Sequence, residues 1–228
     1  MRYVLLPGAG GAAFVWHRVV EQLTARGLDA VAVEFVTGDG HGLADYADAA
    51  VAAAEGADDV VLVAQSMGGF TAAVAAQRLP VSGIVFLNAM IPVPGESAGG
   101  WWEAVGHDAA MRENDIAAGR DPDAEFDIDL YFFHDVPEEE RDALEQQEGD
   151  ADSEAMFAEP CDFPGWPDVP LTVIAGDDDR LFPAAFQERV ARERLSVDAH
   201  RVPGGHLAAL SHPEPIVELL LTAGRTAE

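Results

Sequence analysis

Short apolar runs alternate with helix-forming stretches along most of this 228-residue chain, and this alternation limits the folds that are open to it. A short apolar run is typical of a strand buried on both faces, and a helix between two such strands lets them run parallel. The pattern predicts an α/β fold with a mostly parallel, six-stranded sheet and helices on both faces. The predicted strands are residues 2–7, 29–35, 59–65, 82–88, 170–176 and 197–202, and the predicted helices are residues 14–26, 43–55, 68–78, 184–194 and 213–223.

The alternation stops once, between Asn88 and Pro170. We expect an inserted helical cap there, at about residues 93–165, and a core of residues 1–92 and 166–228 within a single domain. Between Gly95 and Asp162 the sequence has 22 acidic residues and 3 arginines, which account for −19 of the total net charge of −28. A chain this acidic repels polyanions, so neither nucleic acid nor an anionic membrane is expected as a partner.

One serine stands where a predicted strand turns into a helix. The apolar run at residues 60–64 is followed by Gln65, Ser66, Met67 and Gly68. A serine at such a turn is lifted out of the sheet on a strained backbone, an arrangement called the nucleophile elbow and written G-x-S-x-G. Ala64 replaces the first glycine here, which is a departure of one methyl group. An ordinary Ser-Gly turn gives a similar string, so the rest of the chain decides between the two interpretations.

Two later strand ends supply an acid and a base. The strand at 170–176 leads into Asp177, Asp178 and Asp179, and the strand at 197–202 leads into His206. The chain order serine, acid, histidine, each past the C-terminal end of a strand, is that of the α/β hydrolases. A serine hydroxyl needs the imidazole as its base, and a carboxylate must hold that imidazole in one tautomer. Position alone leaves the three aspartates as alternatives, although like charges make it unfavourable for all three to face the same way.

Backbone amides are the expected ligands of the oxyanion that forms when such a serine attacks a carbonyl. A glycine-rich loop, residues 7–11, follows the first predicted strand and can turn its N–H groups inward. The predicted pair is the amide of Ala9 and the amide of Met67, the residue after the serine. The loop has neither a Walker pattern nor a complete G-x-G-x-x-G, so a phosphate site is not indicated.

Two segments resemble the plant methylesterase and hydroxynitrile lyase branch of the α/β-hydrolase superfamily. They are residues 5–17, LLPGAGGAAFVWH, and residues 205–213, GHLAALSHP. The resemblance covers about residues 1–95 and 168–228, and it implies the α/β-hydrolase fold with an inserted cap. The spacing Gly176-x-x-Asp179-x-x-x-Pro183 matches the branch and implies that Asp179 is the acid. The histidine that usually precedes Gly8 is replaced by Pro7.

The resemblance also separates two chemistries. Hydroxynitrile lyases of this branch have a threonine in the oxyanion loop and a lysine beside the catalytic histidine. Here the matching residues are Gly8 and Leu207, and the chain contains no lysine. We therefore expect a serine carboxylesterase acting on a small, largely apolar ester. A lyase, cyclase or acyl transferase with the same triad, or a receptor without catalysis, is the alternative.

The remaining expectations concern the pocket and its surroundings. No cofactor is expected, and the histidines and Cys161 show no metal-ligand spacing, so no metal is expected either. A single cysteine, a short N-terminal strand and no long apolar stretch favour a cytoplasmic protein without a membrane span. The acidic cap is expected to disfavour anionic substrates. The residues expected to contact the substrate are Gly8, Trp16, Met90, Trp101 and Phe132.

Overall fold

A computed structural model of the chain describes residues 1–147 and 152–223. Within those ranges six strands form one sheet in the order β2-β1-β3-β4-β5-β6, and every neighbouring pair is parallel. This confirms the predicted six-stranded α/β sheet. The strands are β1 Arg2–Leu6, β2 Asp29–Ala32, β3 Val60–Ser66, β4 Val81–Ala89, β5 Leu171–Gly176 and β6 Ala199–Val202.

Helices cover both faces of the sheet. Side chains of successive residues in a strand point to opposite faces, so each buried strand contributes to two separate layers. One layer contains Val4, Leu62 and Ile84 and is covered by the helices Leu43–Ala53, Gly68–Ala75 and Ala184–Leu195. The other layer contains Leu5 and Val63 and is covered by the helices His17–Ala25 and Pro213–Ala223. The core helices are α1 His17–Ala25, α2 Leu43–Ala53, α3 Gly68–Ala75, α8 Ala184–Leu195, α9 Ala208–Ser211 and α10 Pro213–Ala223.

The long insertion lies between β4 and β5. Its ends meet at the base, where the amide of Gly95 donates to the carbonyl of Cys161 (2.9 Å) and the amide of Cys161 donates to the carbonyl of Glu96 (2.8 Å). A short π-helical turn at Asp129–Phe133 interrupts the regular helices. None of the helices within residues 1–147 and 152–223 is long and apolar enough to span a bilayer. The helices of the insertion are α4 Ala98–Ala104, α5 His107–Ala117, α6 Glu138–Glu145 and α7 Glu154–Ala158.

Two elements end three residues earlier than the sequence pattern predicts. The strand β2 ends at Ala32 because the chain then turns toward the glycine-rich loop, and the amide of Phe35 donates to the carbonyl of Gly11 (3.0 Å). The helix α3 ends at Ala75 and continues as a tighter turn, in which the amide of Arg78 donates to the carbonyl of Ala75 (3.0 Å). Apolar side chains continue past both ends, which is why periodicity overestimates their length.

Candidate active site

The carboxyl ends of the parallel strands bring Ser66 to the edge of the sheet. Ser66 is the last residue of β3 and has a left-handed backbone conformation, with φ of +52°. A non-glycine residue in this region is strained, and such strain is found where a tight turn fixes a side chain. The helix α3 starts two residues later, so Ser66 occupies the sharp strand-to-helix turn that the sequence predicts.

The turn is possible because glycines let the helix approach the sheet. A Cβ atom on Gly68 would lie 2.6 Å from the carbonyl oxygen of Pro7, and one on Gly69 would lie 1.8 Å from that of Met90. Both distances are too short for any side chain. Ala64 is fully buried in the adjoining strand, and its methyl group is accommodated in the apolar layer.

Ser66, His206 and Asp179 form a continuous hydrogen-bonded chain. The Oγ atom of Ser66 lies 3.0 Å from Nε2 of His206, and Nδ1 of His206 lies 2.9 Å from Oδ2 of Asp179. The carboxylate can only accept, so in the neutral imidazole Nδ1 carries the proton and Nε2 faces the serine hydroxyl. His206 is fully buried and Asp179 is 3% exposed. The three residues come from the ends of three strands and meet as the sequence predicts.

Only one of the three adjacent aspartates reaches the histidine. Asp177 and Asp178 are exposed, and the carboxylate of Asp177 pairs with the guanidinium of Arg201. Asp179 turns inward, and its Oδ1 accepts the amide hydrogens of Leu181 (2.9 Å) and Phe182 (2.8 Å). Two backbone donors therefore hold the carboxylate in place while its other oxygen faces the imidazole.

Two buried amide side chains make hydrogen bonds that stabilise the loops carrying Asp179 and His206. Asn88, at the end of β4, accepts from the amide of Gly176 (2.7 Å) and donates to the carbonyl of Gly205 (2.9 Å). Nε2 of Gln187, from α8, lies 3.3 Å from Oδ2 of Asp179 and 2.7 Å from the carbonyl of Phe182. The sequence analysis does not find these residues. Asn88 has φ of +45°, and an asparagine at a strand end is the only local signal of that conformation.

The insertion also contacts the loop before the histidine. Oδ2 of Asp135 accepts from the amide of Gly205 (2.7 Å) and from the hydroxyl of Ser211 (2.8 Å). Both ring nitrogens of the neighbouring His134 are buried without a hydrogen-bond partner among the described residues. Burial, followed by the charge of Arg180, lowers the pKa of His134 below its ordinary value. His134 is therefore held as a neutral ring against the loop that carries His206.

Ser66 opens into a cavity of about 510 Å³ between the sheet edge and the insertion. Its size is that of a typical small-molecule pocket. The amide-bearing residues Ala9 and Met67 line it, as do the predicted contacts Gly8, Met90 and Phe132. The other apolar side chains of its wall are Val15, Trp102, Ile128, Phe133, Leu144, Phe157, Leu181 and Leu207.

The structure corrects two of the predicted substrate contacts. Trp16 and Trp101 are both fully buried and lie outside the cavity wall formed by the described residues. Trp16 packs in the layer beneath α1 and α10, whereas Trp101 packs against Phe182 and Phe186 in the core. The adjacent Trp102 lines the cavity instead. Neighbouring helical residues point about 100° apart, so Trp102 faces the cavity while Trp101 faces the core.

Gly8 leaves room for the side chain of Ser66. A Cβ atom on Gly8 would lie 2.7 Å from the Cβ of Ser66 and 3.3 Å from its Oγ. A threonine at this position would therefore collide with Ser66. The imidazole of His206 is also enclosed, since the rings of Phe132 and Phe182 each meet it edge-on with centroids 5.0 Å apart.

The described residues contain no group of three or more histidine, cysteine, aspartate or glutamate side chains placed to hold a metal ion. Cys161 is fully buried, and burial together with nearby acidic groups raises the pKa of its thiol to about 12. A thiol in these surroundings is held protonated at neutral pH.

The model of the alpha/beta hydrolase family matches residues 3–219. The chain belongs to this family. Two similar curated proteins are the rice "Probable esterase PIR7A" (Oryza sativa subsp. indica, 36% identical over 111 residues) and "Esterase PIR7B" (Oryza sativa subsp. japonica, 32% identical over 111 residues). Each match covers 42% of this chain, and it covers 42% of the first relative and 41% of the second. Both relatives are plant proteins named as esterases, which agrees with the resemblance to the plant branch.

Solved structures share the fold over nearly the whole chain. A pyrethroid hydrolase from Sphingobium faniae JZ-2 superposes with a TM-score of 0.75 at 19% identity, covering 100% of this chain and 98% of that one. The methylesterase MES16 from Arabidopsis gives a TM-score of 0.74 at 18% identity, covering 98% of each chain. Polyneuridine aldehyde esterase gives 0.72 at 19% identity, covering 97% and 98%. At these identities the similarity is one of fold.

Proposed function

We propose that this chain is a serine carboxylesterase that hydrolyses a small, largely apolar and uncharged ester through an acyl-Ser66 intermediate. The observation that carries the proposal is the hydrogen-bonded chain from Ser66 through His206 to Asp179, whose serine end faces an apolar cavity. This combines an activated nucleophile with a site that excludes water from most of the substrate. The esterase names of the rice relatives support the same reaction class.

The first half of the reaction forms the acyl-enzyme. Ser66 Oγ attacks the acyl carbon as Nε2 of His206 takes its proton, and Asp179 stabilises the imidazolium that results. The amides of Ala9 and Met67 donate to the oxyanion of the tetrahedral intermediate. When that intermediate collapses, the bond between the acyl carbon and the alcohol oxygen breaks. His206 then gives its proton to the leaving alcohol.

The second half releases the acid. A water molecule takes the place of the alcohol and loses a proton to His206 as its oxygen attacks the acyl carbon. The same two amides hold the second oxyanion, and the bond to Ser66 Oγ breaks as His206 returns a proton to the serine. Each residue thus acts twice, and Ser66 is regenerated with the carboxylic acid as product.

Hydrolysis is favoured over the lyase alternative by the space around the serine. A threonine in place of Gly8 would collide with Ser66, and the position beside His206 holds the apolar Leu207 instead of a lysine. At these two positions this chain therefore lacks the threonine hydroxyl and the lysine ammonium group of the lyases. Acyl transfer uses the same first half-reaction, so the nucleophile that resolves acyl-Ser66 distinguishes it from hydrolysis.

The proposal is tested by labelling and by matched substitutions. We expect a fluorophosphonate probe to modify Ser66 and p-nitrophenyl butyrate to be hydrolysed, and Ser66→Ala to abolish both. Asp179→Asn should lower kcat by about 10³–10⁴-fold, because the amide supports the wrong imidazole tautomer. The matched control is Asp177→Asn, which removes one charge two residues away and should leave kcat within about twofold of wild type.

Four outcomes would contradict the proposal. Ester hydrolysis that survives Ser66→Ala would exclude Ser66 as the nucleophile. Equal losses in Asp179→Asn and Asp177→Asn would remove the assigned acid. Failure of the probe to react would favour a receptor without catalysis, and an acyl adduct that an added alcohol resolves but water does not would favour a transferase.

A further inference from the structure

Two large apolar side chains of the insertion are exposed two positions apart in the sequence. Phe126 is 57% exposed and Ile128 is 55% exposed, in the segment between α5 and the π-helical turn. They alternate with Glu125, Asp127 and Asp129, so the segment presents apolar and acidic groups in turn. We call Phe126 and Ile128 the entrance pair. Exposed apolar surface beside a binding cavity is typical of surface that a ligand covers.

The entrance pair is continuous with the wall of the cavity. Ile128 both lines the cavity and is exposed, so it lies where the cavity meets solvent. The ring of Phe126 stacks on Tyr131 with centroids 4.9 Å apart and meets Phe132 at 6.4 Å. Phe132 is a cavity residue whose ring lies 5.0 Å from that of His206. Apolar side chains therefore extend from the imidazole to the outer surface.

We infer that the entrance pair is a binding subsite for an extended, uncharged apolar part of the substrate, which continues from the cavity onto the surface. This rests on the proposed ester hydrolysis and deepens it, because it replaces the small ester with one whose apolar group is longer than the cavity. The flanking carboxylates further define the chemical class of the substrate group that the subsite binds. A group that ends in a carboxylate would face Glu125 and Asp127, whereas a neutral alkyl chain or ring system covers only the apolar side chains.

The affinity that such a subsite contributes depends on chain length. A short acyl chain ends inside the cavity and makes no contact with Phe126, which is not part of the cavity wall. A long chain covers both side chains and removes apolar surface from water, which strengthens binding of ground state and transition state alike. The effect of removing the Phe126 side chain should therefore appear in KM for long substrates and be absent for short ones.

We propose to measure kcat and KM for p-nitrophenyl acetate, butyrate, octanoate and decanoate with Phe126→Ser, Ile128→Ser and the double variant. The double variant is expected to lower kcat/KM for the decanoate by about tenfold or more through KM, given the surface lost. For the acetate, kcat/KM of the Phe126→Ser variant should stay within about twofold of wild type, because Phe126 is not part of the cavity wall and is outside the reach of a two-carbon chain.

Ile116→Ser is the matched control. Ile116 is 58% exposed on α5 and is not part of the cavity wall, so this variant removes the same kind of exposed apolar group from the same insertion. It should leave the whole series unchanged. A loss with Phe126→Ser and Ile128→Ser that is equal for all chain lengths, or that Ile116→Ser reproduces, would overturn the subsite, as would no loss at all.

A binding experiment tests the subsite independently of the proposed ester hydrolysis. In the Ser66→Ala background, 2-undecanone and 2-butanone can be titrated by tryptophan fluorescence, with Trp102 as the reporter in the cavity wall. We expect the double variant to weaken binding of 2-undecanone by about tenfold, and Phe126→Ser alone to leave binding of 2-butanone unaffected. If length-dependent binding is found but no ester is hydrolysed, the subsite stands and the proposed function fails. If esters are hydrolysed but binding is independent of length, only the subsite fails.

Discussion

At the scale of single residues, the side chain of Ser66 has room because Gly8 has no Cβ atom. A Cβ on Gly8 would lie 2.7 Å from the Cβ of Ser66 and 2.8 Å from Oε1 of Gln65. Contacts this short require either the serine or the glycine-rich loop to move. Because the loop also carries the amide of Ala9, a shift of either group separates the proposed nucleophile from the proposed oxyanion donor.

We therefore predict that Gly8→Ala lowers kcat for a short ester by about 10²-fold, a loss typical of a displaced catalytic group. The far-ultraviolet circular dichroism should remain that of the wild type, since the added methyl group lies at the end of a strand and not within the core. The measurement is steady-state kinetics on p-nitrophenyl acetate, with the folded state checked in parallel.

Gly83→Ala provides the matched control for this change. Gly83 lies within the β4 strand, and a Cβ there would meet its nearest neighbour, the carbonyl oxygen of Pro170, at an ordinary 3.6 Å. The Gly83→Ala variant should keep the wild-type kcat. Full activity of Gly8→Ala would show that the loop yields without cost and that the close approach to Ser66 is unimportant.

At the scale of elements, the sequence predicts the sheet and the meeting of Ser66, His206 and Asp179 because both depend on local signals. Each strand is an apolar run, and each of the three residues lies at the end of such a run or in the loop that follows it. The parallel sheet then brings the strand ends together without further information. The acid is less determined by the residues alone, because Asp177, Asp178 and Asp179 differ only in which way a tight turn points them.

Contacts between distant elements are not predictable in this way. Gln187 and Asn88 are 99 positions apart, and their bond of 3.2 Å depends on how α8 packs against the end of β4. The choice between Trp101 and Trp102 depends on the rotation of a seven-residue helix in the insertion. No periodic pattern within so short a helix fixes that rotation, because tertiary packing decides it.

The contact between the insertion and the loop of His206 makes stability depend on pH. Burial and the nearby Arg180 lower the pKa of His134 in the folded state, whereas in the unfolded chain it titrates near the ordinary value of 6.5. As pH falls below that value the unfolded chain takes up a proton that the folded protein resists. Stability that is present at neutral pH is therefore lost between the unfolded pKa and the lower folded pKa.

We predict that His134→Phe reduces the drop in Tm between about pH 7 and pH 5.5, because the variant has no proton to take up at this position. Differential scanning calorimetry of wild type and variant measures the difference. The His200→Gln variant, at an exposed residue of β6, should retain the wild-type dependence. Identical pH dependence in wild type and His134→Phe would mean that His134 does not contribute.

At the scale of the whole molecule, the charge is both large and unevenly placed. The net charge is −28, and the segment from Gly95 to Asp162 accounts for −19 of it. That segment forms one wall of the cavity and includes Glu125, Asp127 and Asp129 beside the entrance. A substrate therefore approaches the proposed active site through a negative potential, which acts on its charge and not on its apolar surface.

This potential predicts different salt responses for two esters of similar shape, p-nitrophenyl butyrate and mono-p-nitrophenyl succinate. At about 10 mM salt the Debye length is about 30 Å, and the terminal carboxylate of the succinate meets the unscreened field of the insertion. Its kcat/KM should be at least about tenfold below that of the butyrate and should rise as salt shortens the Debye length to about 3 Å at 1 M. The butyrate should change by less than about twofold, since it carries no charge for the field to act on.

Matched charge removals decide whether the field is local to the entrance. Glu125→Gln removes one charge beside the entrance pair, and Glu214→Gln removes one from α10, on the opposite face of the sheet. A local field predicts that only Glu125→Gln accelerates the succinate at low salt, whereas a field from the total charge predicts equal effects. Faster turnover of the succinate than of the butyrate at low salt would contradict the preference for uncharged substrates altogether. The same result would also remove the reason for assigning an uncharged group to the entrance pair, because both inferences depend on the sign of this field.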